Sequence, residues 1–69
     1  MQHFRGPGSL QAAIDSYKLL VANGAESANI IRQRTSAGHE FILFCNYRDY
    51  YNYRMTTGPR ELHRVVLGK

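Results

Sequence analysis

Arginine and tyrosine are the residues of this chain best suited to contact a ligand, and several of them lie close together in residues 48–54. Guanidinium groups bind phosphate or carboxylate in a planar, bidentate way, and tyrosine rings stack on bases. If residues 50–57 are a strand, Tyr50, Asn52 and Arg54 share one polar face. Two arginines of an earlier predicted strand extend this surface. The predicted partner-binding residues are Arg32, Arg34, Arg48, Tyr50, Asn52 and Arg54.

Residues that could do acid–base or metal chemistry are sparse. The candidates His3, His39, Cys45 and His63 lack the CxxC or HxxxH spacing of small metal sites, and the chain has no phosphate loop, nucleophile elbow or paired carboxylates. We therefore expect no metal, no cofactor and no enzymatic activity. A metal-independent ribonuclease, with histidine as acid or base beside arginine, is a weaker alternative.

The positive charge is concentrated in one part of the chain. The net charge is +4, residues 1–27 are neutral overall, and residues 28–69 carry seven basic and three acidic side chains. A basic surface attracts nucleic acid, and it equally attracts an acidic protein.

Length and hydrophobicity indicate one small domain. Residues 1–8, with Gly6-Pro7-Gly8, are predicted to be a flexible lead-in, and residues 9–69 a single domain. The longest apolar run, residues 41–45, is far shorter than the ~20 residues that span a bilayer. The start of the chain has no signal-peptide pattern, so we expect a cytoplasmic protein without a membrane partner.

An amphipathic helix is predicted after Ser9, the expected N-cap, and Asn23-Gly24 should end it. Its apolar positions follow helical spacing and form one face. They are Leu10, Ala13, Ile14, Tyr17, Leu20 and Val21.

Three strands are predicted next. Residues 30–35 form the first, residues 36–38 the hairpin loop, residues 39–47 a central strand with two apolar faces, and residues 50–57 a third strand that Gly58-Pro59 ends. The tail from Pro59 is ambiguous: proline at a first helical position favours a short helix, whereas Val65-Val66 also suit a fourth strand. The predicted fold is α+β: an N-terminal helix on a three-stranded antiparallel meander, with a short C-terminal helix or a fourth strand.

A single covering helix would leave the second face of this sheet exposed, including Ile42 and Phe44. Exposed apolar patches mark interfaces. We therefore predict a homodimer or a stable heteromer that uses these two residues.

The predicted order of elements resembles double-stranded-RNA-binding domains and the small toxin ribonucleases of HicA type. Residues 34–39 fall where those toxins place a glycine and their catalytic histidine, which would correspond to Gly38 and His39. The resemblance covers the element order but no specific motif.

The function predicted first is therefore a small non-enzymatic module that binds RNA or DNA through an Arg/Tyr face. The alternative is an inhibitor or adaptor of a host protein, of the kind that phages and mobile elements encode, because tyrosine and arginine are also enriched at protein hot spots. A HicA-like ribonuclease ranks third.

Overall fold

A computed structural model describes residues 1–56 and 62–65 and confirms the α+β class. These residues form two helices and four strands, in the order strand–helix–strand–strand–helix–strand. In chain order they are β1 (Gln2–Arg5), α1 (Ser9–Ala22), β2 (Asn29–Thr35), β3 (Gly38–Phe44), α2 (Tyr47–Thr56) and β4 (Leu62–Val65).

The four strands form one antiparallel sheet in the order β1-β3-β2-β4. Each helix connects two parallel strands that flank a third: α1 joins β1 to β2 across β3, and α2 joins β3 to β4 across β2. Both crossovers move across the sheet toward β4, but the strands from which they start, β1 and β3, are antiparallel. The preferred right-handed crossover therefore places the two helices on opposite faces.

Helix α1 covers the first face. Ala13 is fully buried against Ile30 and Leu43, and the rest of the predicted apolar face is partly buried around them, except for two residues near the helix ends, Leu10 and Val21, which are exposed. The helix begins at Ser9 with Gly8, rather than Ser9, in the cap position. Its predicted end is confirmed, because the Asn23 backbone and side-chain nitrogens both donate to the Leu19 carbonyl.

The hairpin predicted from residues 30–35 and 39–47 is confirmed, although its second strand ends at Phe44 rather than at residue 47. Thr35 pairs with Gly38, so only two residues connect β2 to β3. The Thr35 hydroxyl donates to the Gly38 carbonyl at 2.7 Å and accepts the Ala37 N–H at 3.2 Å. Gly38 has φ 118°, a conformation that disfavours any residue with a side chain.

The predicted third strand is wrong, since residues 47–56 form helix α2. Asn46 caps it: its Oδ1 accepts the Asp49 N–H at 2.8 Å, and its amide donates to the Asp49 carboxylate at 3.2 Å. Tyr50 and Tyr53, three residues apart, both face the sheet. The spacing of the tyrosines fits both a strand and a helix. The Asn46–Asp49 cap is the feature of the sequence that indicates a helix.

Helix α2 covers the second face and completes a second core. Phe44, Ile31 and Ile42 are almost fully buried there, with Tyr50 packed on them. Phe44 contacts Tyr50 edge-on, with ring centroids 5.9 Å apart, and Tyr53 in a tilted arrangement at 5.4 Å. The Tyr53 hydroxyl donates to Gln33 Oε1 at 2.5 Å, which satisfies an amide that is almost fully buried.

The segment predicted as part of a flexible lead-in contains the edge strand β1 instead. Two side chains of β1 contact the buried carboxylate of Glu40 on β3. Arg5 Nε donates to Glu40 Oε2 at 2.6 Å, and His3 Nδ1 lies 2.9 Å from the same oxygen. Burial raises the pKa of Glu40, but the contacts with His3 and Arg5 outweigh it and lower the pKa below its usual value.

We expect this cluster to make stability depend on pH. Because the pKa of Glu40 is lower in the folded chain than in the unfolded one, its contribution is present above the unfolded pKa and is lost as the pH falls through the folded value. Near neutral pH, Glu40→Gln should lower the free energy of unfolding by about 1 kcal/mol. Urea titrations at successively lower pH should show this difference shrinking once the pH is below the ordinary pKa of a glutamate side chain. If the difference between Glu40→Gln and the wild-type chain stayed constant as the pH fell, the ionised Glu40 carboxylate would not be the stabilising group.

The C-terminal element is the fourth strand rather than the short helix. Leu62–Val65 pairs antiparallel with β2, with Val65 opposite Ile30 and Leu62 opposite Gln33. The predicted stop at Gly58-Pro59 and the residues Val66 and Leu67 lie outside the described residues. Within residues 1–56 and 62–65, no helix is long and apolar enough to cross a membrane.

The observed order, strand–helix–strand–strand–helix–strand, also removes the basis of the resemblance to RNA-binding domains and HicA-type toxins. That resemblance required three consecutive strands after α1. Here the chain forms two, then a helix on the opposite face of the sheet.

Candidate nucleic-acid interface

The predicted binding residues are divided between two faces of the sheet. Arg32 and Arg34 alternate with buried residues of β2 and point to the α1 face, whereas Arg48, Asn52 and Arg54 lie on α2, on the other face. All five are exposed. They do not form the single surface that was expected if residues 50–57 were a strand.

Tyr50 is not an exposed contact residue. It is 8% exposed and packs on Phe44, so the prediction that Tyr50 is an exposed binding residue is wrong. Its hydroxyl accepts a hydrogen bond from Arg54 Nη1 at 2.9 Å, and the Arg54 guanidinium carbon lies 5.7 Å from the Tyr50 ring centroid. Tyr50 thus holds Arg54 in place while the rest of that side chain faces solvent.

The exposed aromatic residues of α2 are Tyr47 and Tyr51, neither of which is among the predicted partner-binding residues. They are 57% and 49% exposed, one helical turn apart, with ring centroids separated by 6.1 Å and planes inclined by 33°. Tyr47 also contacts Tyr50 at 5.7 Å, which supports it from the core side. Their i, i+4 spacing would have indicated this pair once α2 was recognised as a helix.

A cleft of about 510 Å³ lies beside this pair. We call it the tyrosine cleft; it lies where the C-terminal half of α1, the connector before β2, the start of α2 and the edge strand β4 meet. Its lining includes three tyrosine rings and one arginine, together with polar groups of the connector. These residues are Tyr17, Glu26, Ser27, Asn29, Tyr47, Tyr50 and Arg64, with Ala28.

The side-chain amide of Asn29, the first residue of β2, is held against the connector. Asn29 Nδ2 donates to the Ser27 carbonyl at 2.8 Å, which orients the amide at the cleft wall. Arg64 projects from β4 and is exposed. The cleft therefore combines aromatic surface, an amide and a guanidinium group, which nucleotides contact in proteins, with one exposed carboxylate, that of Glu26.

The predicted interface residues Ile42 and Phe44 are core residues instead. Both are fully buried within the chain because α2 covers the face that the three-stranded model left open. They are not available to a second protein, and the argument for a dimer that rested on them no longer holds.

The histidines do not assemble a metal site. In residues 1–56 and 62–65, no group of three His, Cys, Asp or Glu side chains could hold a metal ion. His39 and His63 are both exposed, paired opposite Arg34 and Arg32 respectively.

Comparisons with known proteins give no relative from which a role could be transferred: no family model, no curated protein and no solved structure matches this chain.

Proposed function

We propose that this protein binds single-stranded nucleic acid at the tyrosine cleft, with bases stacked on Tyr47 and Tyr51 and phosphates on Arg54 and Arg64. The observation that carries the proposal is the pair of half-exposed, adjacent tyrosine rings beside a cleft bordered by a guanidinium group. Proteins that bind single strands combine aromatic stacking platforms with a basic groove in this way.

A single strand suits this geometry better than a duplex. Stacking on Tyr47 and Tyr51 requires bases whose faces are accessible, and in a duplex those faces are covered by neighbouring bases. The polar wall formed by Ser27 and Asn29 could contact the edge of a base that enters the cleft.

The charge of the chain suits a partner that carries phosphates. The net charge of +4 lies in residues 28–69, which supply both Arg54 and Arg64. Arg54 is held over Tyr50 before any ligand arrives, so less side-chain entropy is lost when it contacts a phosphate.

The direct test is fluorescence anisotropy with labelled single-stranded RNA and DNA, and with a duplex of the same sequence. Affinity for the single strand should fall with salt, with a slope of log K against log salt of about −0.7 for each phosphate contacted. A chain that binds no strand at low salt, or that prefers the duplex, would contradict the proposal.

We expect Tyr51→Ala to weaken single-strand binding by about 1–3 kcal/mol, which is the range for one base stacked on an aromatic ring. Thermal stability should barely change, because Tyr51 is half exposed. The matched control is Leu19→Ala, which truncates a side chain that is 65% exposed on α1. Equal effects of the two variants on anisotropy would refute a stacking role for Tyr51.

An inhibitor or adaptor that docks on another protein is the second candidate. It is favoured by Met55, which is 65% exposed on α2 near Tyr51, since methionine and tyrosine are enriched at protein interfaces. A pull-down from nuclease-treated lysate distinguishes the two candidates. A protein that is retained after nuclease treatment and lost with Met55→Glu supports the inhibitor or adaptor. Recovery of no such protein supports nucleic acid as the partner.

A further inference from the structure

A second groove lies on the α1 face of the sheet, beyond the first turn of α1. Its volume is about 270 Å³. Apolar side chains from α1, β3 and β4 and basic side chains from β2 and β4 line it together: Leu10, Arg32, Phe41, His63, Arg64 and Val65. We call it the β4 groove.

Strand register explains how the apolar and basic groups come together. Arg32 on β2 has Phe41 on one side and His63 on the other, so a ring, a guanidinium and an imidazole stand side by side on three adjacent strands. Two positions along β2, Arg34 is paired with His39 and continues the basic row. None of these strand positions on the α1 face carries a carboxylate; Glu40 lies on the opposite face, held by β1.

The β4 groove and the tyrosine cleft share one residue. Arg64 borders both. Among the described strands β4 lies at the sheet edge and pairs only with β2, so the two faces of the described sheet meet at this strand.

We propose that the β4 groove is a second nucleotide site, and that one strand runs from the tyrosine cleft around the edge strand β4 into this groove. A base packs against Leu10, Phe41 and Val65, while Arg32 binds its phosphate and Arg64 contacts the phosphate between the two sites. This inference rests on the proposed function for the identity of the partner. It adds a second surface, and it gives Arg32 the phosphate-binding role.

The strand length needed for full affinity tests the path. Strands of about 4 nucleotides should occupy the tyrosine cleft alone, and strands of about 12 should reach both sites. Arg32→Gln should weaken the longer strand about five- to tenfold, reduce the magnitude of its salt slope by about 0.7, and leave the shorter strand unaffected. Leu10→Glu, which places a carboxylate at the rim from a position that is 42% exposed, should have the same selectivity.

Lys18→Gln is the matched control, because it removes an exposed positive charge of α1 that borders neither cavity. If Arg32→Gln affects the longer strand no more than Lys18→Gln does, the β4 groove is not part of the path. An equal loss for both lengths would also overturn the inference, because the groove would then not be a separate, second site.

Nuclear magnetic resonance titration of the wild-type chain with uridine monophosphate distinguishes the source of the nucleotide and the failure of each proposal. Shifts at the amides of Leu10, Arg32 and His63 without any strand binding would refute the proposed function and retain the groove as a site for a free nucleotide. No shifts and no strand binding would refute both.

Discussion

Phe44→Ala should lower the free energy of unfolding by about 3–5 kcal/mol. Phe44 is fully buried at the centre of the second core, where it contacts Ile31, Ile42 and the rings of Tyr50 and Tyr53. A small domain has a total stability of only about 5 kcal/mol or a little more, so this variant should retain only about 0–2 kcal/mol of its free energy of unfolding. Urea denaturation followed by circular dichroism measures the loss.

A graded variant keeps this test interpretable if Phe44→Ala does not fold. Phe44→Leu keeps much of the buried volume and should cost clearly less than the alanine variant. Leu19→Ala, at an exposed position of α1, should change the free energy of unfolding by less than about 0.5 kcal/mol. If Phe44→Ala were as mild as Leu19→Ala, α2 would not cover this face of the sheet.

Tyr50→Ala should lower the free energy of unfolding by about 3 kcal/mol, whereas Tyr51→Ala should change it by less than about 0.5 kcal/mol. The neighbours differ because one faces the core with 8% of its surface exposed and the other is 49% exposed. Tyr50→Phe keeps the packing and loses only the hydroxyl that accepts the Arg54 hydrogen bond, so it should cost about 1 kcal/mol.

The two alanine variants also distinguish a strand from a helix in residues 47–56. A strand would bury Tyr51 and Tyr53 together and expose Tyr50, since strand side chains alternate. A helix buries Tyr50 and Tyr53 together, since residues three apart share a face. If Tyr51→Ala lowered the free energy of unfolding strongly and Tyr50→Ala did not, the segment would be a strand and not a helix.

Burial and proposed binding are connected through Arg54. Tyr50 contributes its ring to the core and its hydroxyl to Arg54, so a variant at this position changes both stability and the position of a proposed phosphate contact. Tyr50→Phe separates the two effects: binding of single strands should weaken through the loss of Arg54 orientation while most of the stability remains.

Local signals were sufficient for α1 and for the hairpin. Six apolar positions with helical spacing, followed by Asn23-Gly24, predicted a helix that the structure confirms from Ser9 to Ala22. The alternation in residues 30–35 and the short glycine-containing loop predicted β2, the turn and β3. In these segments the hydrophobic period and the turn residues favour the same structure, so local reasoning suffices.

In residues 47–56 the signals conflicted. Tyrosine favours strands, and its positions in this segment fit an alternating pattern as well as a helical one. The Asn46–Asp49 cap decides locally for the helix, but two capping residues carry little weight against a run of aromatic ones. The predicted site failed for the same reason, because a helix turns Tyr50 inward and brings Tyr47 beside Tyr51.

Composition and local patterns are enough to predict a small basic α+β chain with α1, the β2–β3 hairpin and an arginine-rich second half. Those properties follow from composition and from contacts between residues near in sequence. The three-dimensional arrangement is needed to place β1 and β4 at the edges of the described sheet, α2 on its second face and Arg64 between two cavities. These features depend on the strand order and on the direction of two crossovers, which bring together residues distant in sequence and leave no local pattern.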